Sequence, residues 1–117
     1  MSEISGKAAE FLPLTEATYY VLISLVEPRH GYGIMQNVAA LGRKAVNLGP
    51  GTLYGALTNL LKQGLIERVG ELESAGERRK VYGLTRLGKL VLALEVERLA
   101  VLSRIGEQIL KRSGGKR

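Results

Sequence analysis

Between Pro50 and Gly64 the apolar residues recur at helical spacing, and directly after Gly64 the spacing drops to two. That change of period confines the middle of the chain to one helix running straight into paired strands. Pro50 suits a first helical position, where its fixed φ is already correct and its missing N–H costs nothing, and Gly64 supplies the stop. Leu53, Leu57, Leu60 and Leu61 share one face; Gly51, Gly55, Thr58, Asn59 and Lys62 fall on the other. A surface helix would satisfy this pattern, and so would a helix built to lie in a DNA groove. Beyond Gly64, Ile66, Arg68 and Gly70 alternate with Glu67, Val69 and Glu71. A turn at Ser74-Ala75-Gly76 then leads to a second strand over Arg79–Leu84, which predicts a hairpin with a charged tip.

Upstream, Thr15 is placed to cap a helix in which Tyr20, Val21, Ser24 and Leu25 follow at helical spacing until Pro28. Tyr19, Tyr20 and Ile23 widen its apolar arc, so it packs on more than one neighbour. Pro28-Arg29-His30-Gly31 reads as a turn, and Tyr32, Met35, Val38, Ala39 and Leu41 mark a second helix ending at Gly42. His30 is expected as a turn residue or local hydrogen-bond donor, and the GxG around Tyr32 lacks the rest of a dinucleotide fingerprint. Arg43 to Gly49 connect to the third helix, with Arg43-Lys44 either a solvated pair or a phosphate contact. Helix, turn, helix, loop, helix, hairpin is the order of a winged helix-turn-helix. Residues 1–13 are either a tail or a short helix from about Ser5 to Phe11, closed by Pro13.

Thr85 caps the last helix, expected from Arg86 to about Lys111, with 114–117 a disordered tail. Leu84, Leu87, Val91, Leu94, Leu102, Ile105 and Ile109 form one stripe, and Leu92, Val96, Leu99 and Leu110 an adjoining one. The joint arc exceeds half the circumference, whereas a helix resting on its own domain needs only about 100°. Either the helix is buried inside a compact monomer, or it pairs with a second copy. Three short helices and a hairpin offer too little surface to wrap it, which favours a homodimer through Tyr19, Tyr20, Ile23, Leu92, Val96, Leu99, Leu102, Ile105, Ile109 and Leu110. Glu95 and Arg98, three apart, either form a rim pair of little value or allow each other partial burial. A small hydrophobic effector has a candidate cavity between protomers at Leu92, Val96, Leu99 and the tyrosines.

The expected fold is therefore mainly α with a small β-hairpin (α+β): a winged helix-turn-helix domain over 14–84 and a C-terminal dimerisation helix over 85–113. The net charge of +6 and pI near 9.8 favour a polyanionic partner. Pro28–Lys89 holds ten Lys/Arg against four Glu and so carries the whole net charge. The chain has no Cys, no Asp and one His, so disulfides, thiol catalysis and Cys- or His-rich metal sites are excluded, and neither cofactor nor metal is expected. No nucleophile–base–orienter set or phosphate loop is present, so no enzyme is expected. No long apolar run or signal-peptide order occurs, so no membrane partner is expected and the location is expected to be cytoplasmic.

The runs LTEATYYVLISLVEPRHGYGIM, GPGTLYGALTNLLKQGLIE and RRKVYGLTRLGK, with one long C-terminal helix, resemble PadR-family transcriptional regulators of the short type. The resemblance spans Leu14 to about Leu110. It implies a winged-helix domain bound to double-stranded DNA, dimerisation through the last helix, and repression of a nearby promoter. The last helix has no tryptophan, so an aromatic drug-stacking pocket is not expected. In the DNA reading the third helix enters the major groove, with Gly51 and Gly55 removing bulk and Thr52, Tyr54, Thr58 and Asn59 facing bases and phosphates. Tyr54, at the margin of the apolar face, is alternatively half-buried. Lys62 suits a phosphate, and Arg78, Arg79 and Lys80 suit the backbone or an adjacent minor groove. The rival reading is a winged helix that uses its basic face on an acidic protein.

Overall fold

The computed structural model describes residues 3–42 and 46–114. Arg43 and Lys44 lie outside these described residues. Along the chain run α1 (Glu3–Ala9), α2 (Glu16–Ser24), β1 (Arg29–His30), α3 (Gly31–Leu41), α4 (Pro50–Gln63), β2 (Ile66–Ser74), β3 (Glu77–Leu84) and α5 (Arg86–Arg112). α2, α4 and α5 start where the sequence predicts, each for a local reason, whereas α3 starts at Gly31, inside the expected turn, with His30 as its cap. The Thr15 hydroxyl accepts the Thr18 N–H to open α2, and the Thr85 hydroxyl accepts the Gly88 N–H to open α5. α4 starts with Pro50 in its first turn and ends at Gly64 in the left-handed region, φ 77°.

Buried leucines, isoleucines and valines of α2 (Val21, Leu22), α3 (Ile34, Val38) and α4 (Leu53, Leu57, Leu60) form one core with Leu25, Leu65, Ile66, Leu84, Val91 and Leu92. The sheet order is β1-β3-β2, all antiparallel. β2 and β3 are joined by Ala75 and Gly76, both at positive φ (53° and 80°), which is the two-residue turn whose twist matches a hairpin. The expected three-residue turn is thus one residue too long, because Ser74 pairs with Glu77 as the last rung of the ladder.

Four further expectations need correction. Arg29-His30, read as turn, pairs with Tyr82 and Val81 as a third strand, since a two-residue strand carries no periodicity to detect. In α3 the buried face is Ile34 and Val38, while Tyr32 and Leu41 are exposed. A bulge between Arg68 and Gly70 breaks the strict alternation expected in β2. The N-terminal helix begins at Glu3 and ends at Ala9, short of Phe11, and it packs on α5 with Ala8 fully buried.

The 27-residue α5 extends about 40 Å. Its first part lies on the core; beyond Glu95 it carries Val96, Leu99, Leu102, Ile105, Ile109 and Leu110 at 38–55 % exposure. Burial of the whole helix inside one protomer is therefore excluded. Glu95 itself is 1 % exposed, far from the rim position considered for it. Its carboxylate accepts the Leu14 N–H at 2.9 Å and both Arg98 Nε (2.5 Å) and Nη2 (2.9 Å). The Arg98 hydrogen bond holds the Glu95 carboxyl below the ordinary carboxylate range against the opposing pull of burial. Among the described residues no helix is long and apolar enough to cross a membrane.

Candidate nucleic-acid interface

Because Leu53, Leu57 and Leu60 are buried, the opposite side of α4 must face outward, and at about 100° per residue that side is Gly51, Gly55, Thr58 and Lys62. All four are exposed. A Cβ at Gly51 or Gly55 would meet nothing within 4 Å. Glycine inside a helix costs about 1 kcal/mol relative to alanine, and no neighbour in the protomer demands it here. What the two glycines offer is a flat strip of backbone on a free helix face. Thr58 donates its hydroxyl proton to the Tyr54 carbonyl at 2.9 Å, so its methyl and remaining lone pair are what it presents outward. Gly49 caps α4 without a side-chain hydrogen bond, which leaves the first backbone N–H groups uncovered by any side chain.

The two flanks of this strip differ. On one, Thr52 and Asn59 are exposed, and Asn59 and Gln63 border a groove whose other wall includes Thr15 and Thr18 at the start of α2. On the other, Tyr54 leans over the start of α3. A Cβ at Gly31 would overlap the Tyr54 hydroxyl and stand 2.8 Å from its ring carbon Cζ, so a side chain there would make the ring swing away from this position. Tyr54 keeps 48 % of its surface exposed while its ring rests on the Gly31 backbone, so it is both partly buried and open to the outside.

Between the starts of α3 and α4 and the wing opens a cleft of about 590 Å³, walled by Tyr32, Met35, Pro50, Tyr54, Arg78, Arg79, Lys80 and Tyr82. The Arg79 guanidinium lies 5.8 Å from the centre of the Tyr32 ring, a cation–π distance, and 3.8 Å from Glu77. Arg78 is 3.5 Å from Glu71, which also holds Arg68. Lys62 and Lys80 make no ion pair with the described residues. The three wing cations therefore have unequal settings: Arg79 lies over the Tyr32 ring and near Glu77, Arg78 is near Glu71 alone, and Lys80 has no ion pair among the described residues.

Sequence reasoning missed Tyr32 and Gly31 as parts of this surface. Tyr32 was counted with the apolar stripe of its helix because Tyr and Met three apart look like core. The available signal was the glycine beside it, since a glycine opening a helix leaves room for a ring from elsewhere. His30 is also corrected: its Nδ1 accepts the Gly33 N–H at 3.0 Å, so it caps α3 as an acceptor, not a donor.

The residues expected at a dimer interface fall in two groups. Tyr19 and Tyr20, packed edge to face with ring centres 6.0 Å apart, are half-buried, as is Ile23, and Leu92 is covered by its own chain. Val96, Leu99, Leu102, Ile105, Ile109 and Leu110 are bare. Residues expected around a cavity between protomers border two hollows on the surface of one protomer: Ile23, Val26, Leu84, Leu92 and Val96 line an apolar hollow of about 410 Å³. Tyr19, Tyr20, Leu99, Glu95 and Arg98 line a more polar one of about 560 Å³.

Residues 20–94 match the transcriptional regulator PadR-like family. A 37.1 kDa protein in transposon TN4556 of Streptomyces fradiae is 38% identical over 89 residues, 75% of this chain; the chain spans only 24% of that relative's length. A PadR family transcription regulator from Clostridium difficile superposes with a TM-score of 0.64 at 28% identity, covering 80% of this chain and 97% of that one. Bacillus subtilis PadR, solved in complex with operator DNA, gives 0.60 at 23% identity over 69% of this chain and 46% of its own, a likeness of fold. With the matched segment covering most of the chain and the helix–helix–helix–wing order in place, the chain belongs to the PadR-like family of transcriptional regulators, which are not enzymes.

Proposed function

We propose that the chain binds double-stranded DNA as a homodimer and represses transcription from a pseudo-palindromic operator. The observation that carries this reading is the free face of α4. A glycine-flattened strip ending in Lys62 is flanked by a cleft where Arg79 lies over the Tyr32 ring and Lys80 has no ion pair among the described residues. A groove-reading helix needs close backbone approach along its axis and cations at its margins for the phosphates, and this face supplies both. The use of the same fold on operator DNA by Bacillus subtilis PadR supports it. In this reading Thr52, Tyr54, Thr58 and Asn59 face bases and phosphates, Lys62, Arg79 and Lys80 neutralise phosphates, and Arg78 does so after leaving Glu71. Homodimerisation is supported by the bare stripe from Val96 to Leu110, whose exposed apolar side chains water disfavours. The apolar hollow at Leu92 and Val96 is a place for a small hydrophobic effector next to that stripe.

Selection of bound duplexes from a random pool, followed by salt titration, tests the reading. The expected result is a recurrent inverted repeat whose affinity falls with salt. Arg79→Ala and Lys80→Ala should each flatten the salt dependence by about one unit of slope, and Asn59→Ala should relax the preference at a base position. Absence of salt-dependent duplex binding would overturn it, and binding to an acidic protein that nonspecific DNA fails to displace would favour a protein partner.

A further inference from the structure

Where α4 ends and α5 begins, the two helices are joined by more than the hairpin between them. Gly64 closes α4 in a Schellman arrangement: its N–H reaches the Leu61 carbonyl and the Leu65 N–H the Leu60 carbonyl, both at 3.1 Å. The carbonyls of Gly64 and Leu65 then point away from α4, and Thr85 takes both. Its N–H donates to Leu65 O at 3.1 Å, and its hydroxyl donates to Gly64 O at 2.6 Å while accepting the Gly88 N–H at 3.0 Å. One hydroxyl thus caps the end of one helix and the start of the other, with its proton and a lone pair both in use. One turn on, Gly88 lies directly on the Leu65 carbonyl: a Cβ there would overlap the oxygen outright and stand 2.9 Å from the carbon. Any side chain at Gly88 must push α5 off the end of α4.

We propose that Thr85 and Gly88 are positioning residues that lock α4 to α5 as one rigid unit, so that the distance between DNA half-sites is set by how two copies of α5 pair. This rests on the reading of the chain as a dimeric operator-binding protein. The lever is long. From Gly88 to Ile105, inside the bare stripe, is about 26 Å of helix, so a tilt of roughly 10° at the joint moves that point by about 4–5 Å. That exceeds the rise of about 3.4 Å per base pair. A loose joint would let one dimer fit several half-site spacings; a locked joint admits one. The alternative is that Thr85 is an ordinary helix cap. The two accounts part in what the variants change: loss of an ordinary cap in Thr85→Val lowers stability and leaves the preferred half-site spacing alone, whereas a broken joint moves or broadens that spacing.

The test compares duplexes in which the selected half-sites are separated by spacers varied one base pair at a time. Wild type and Thr85→Ser, which retains the hydroxyl, should share one optimum and lose about tenfold in affinity one base pair away, corresponding to about 1.4 kcal/mol. Gly88→Ala and Thr85→Val should shift the optimum by at least one base pair or flatten it below about threefold, with affinity for an isolated half-site held within about threefold. A Gly88→Ala protein with the wild-type optimum overturns the lock; if that variant does not fold, Thr85→Val against Thr85→Ser decides in the same way. If wild type binds no duplex, the DNA reading fails and the lock is judged from amide dipolar couplings of α4 and α5. An unchanged angle between the helices in Gly88→Ala and Thr85→Val overturns it, and a change of about 10° or more upholds it.

Discussion

From Arg86 to Glu95 the last helix rests on its own chain, whereas from Val96 to Arg112 the same helix with the same apolar period stands in solvent. Each half contains one glycine on the apolar side, Gly88 and Gly106, about five turns apart and hence on the same face. At Gly88 the Leu65 backbone occupies the place of a side chain; at Gly106 the place is empty. The first half teaches what that pattern looks like when covered: leucine and valine stripes on a core, with a glycine where another backbone comes close. The second half carries the pattern without the cover, and in the proposed dimer the cover is a second copy.

The largest expected effect comes from attacking the bare half. Leu102→Glu with Ile105→Glu should weaken self-association by more than about 100-fold in sedimentation. Val91→Ala in the covered half should instead leave association intact and cost roughly 2 kcal/mol of unfolding free energy. A protein that sediments unchanged with both glutamates in place would break the comparison.

An intermediate effect belongs to the boundary. Arg98→Ala leaves a buried Glu95 carboxylate with the Leu14 N–H as its remaining partner and should cost about 2 kcal/mol at neutral pH. Because Arg98 holds the Glu95 carboxyl below its ordinary range in the folded state, the stability it contributes is present above that range and is lost as the pH falls through the folded value. The gap between wild type and variant in urea midpoints should therefore be widest near pH 7 and close below about pH 4. A gap that stays constant with pH would mean that Arg98 acts by packing rather than through the carboxylate.

The smallest effect sharpens the comparison most. In the Leu102→Glu, Ile105→Glu background, Gly106→Ala should raise stability by about 1 kcal/mol, the helix-propensity gain at an exposed site. In the wild-type background the same change should weaken self-association severalfold, because a Cβ would stand where the partner helix approaches. Equal stabilisation in both backgrounds, read from thermal unfolding and sedimentation together, would show that no backbone comes near Gly106.

Much of the fold was legible because its signals are local. Thr15, Thr85, Pro50 and Gly64 mark helix ends through their own hydrogen bonds and dihedral angles, and the drop from helical to alternating spacing after Gly64 announces the hairpin. β1 was not legible, since Arg29 and His30 become a strand only by pairing with Tyr82 and Val81, some fifty residues later. Of the candidate interface, the exposed residues of α4 followed from the leucines opposite them. Tyr32 did not, because its place depends on Arg79 arriving from the wing, and the buried setting of Glu95 depends on Leu14 arriving from the other end of the chain.

By itself the sequence determined where α2, α4 and α5 begin, that a hairpin follows Gly64, and that the last helix is apolar over more of its surface than one domain can use. Those properties follow from spacing, capping and charge, which act over a few residues. Only the tertiary structure decided which part of that helix is covered, that one threonine hydroxyl ties the end of α4 to it, and that the wing's cations are unequally engaged. These outcomes turn on which groups from distant parts of the chain come within hydrogen-bond or van der Waals reach, a matter of three-dimensional proximity that periodicity does not encode.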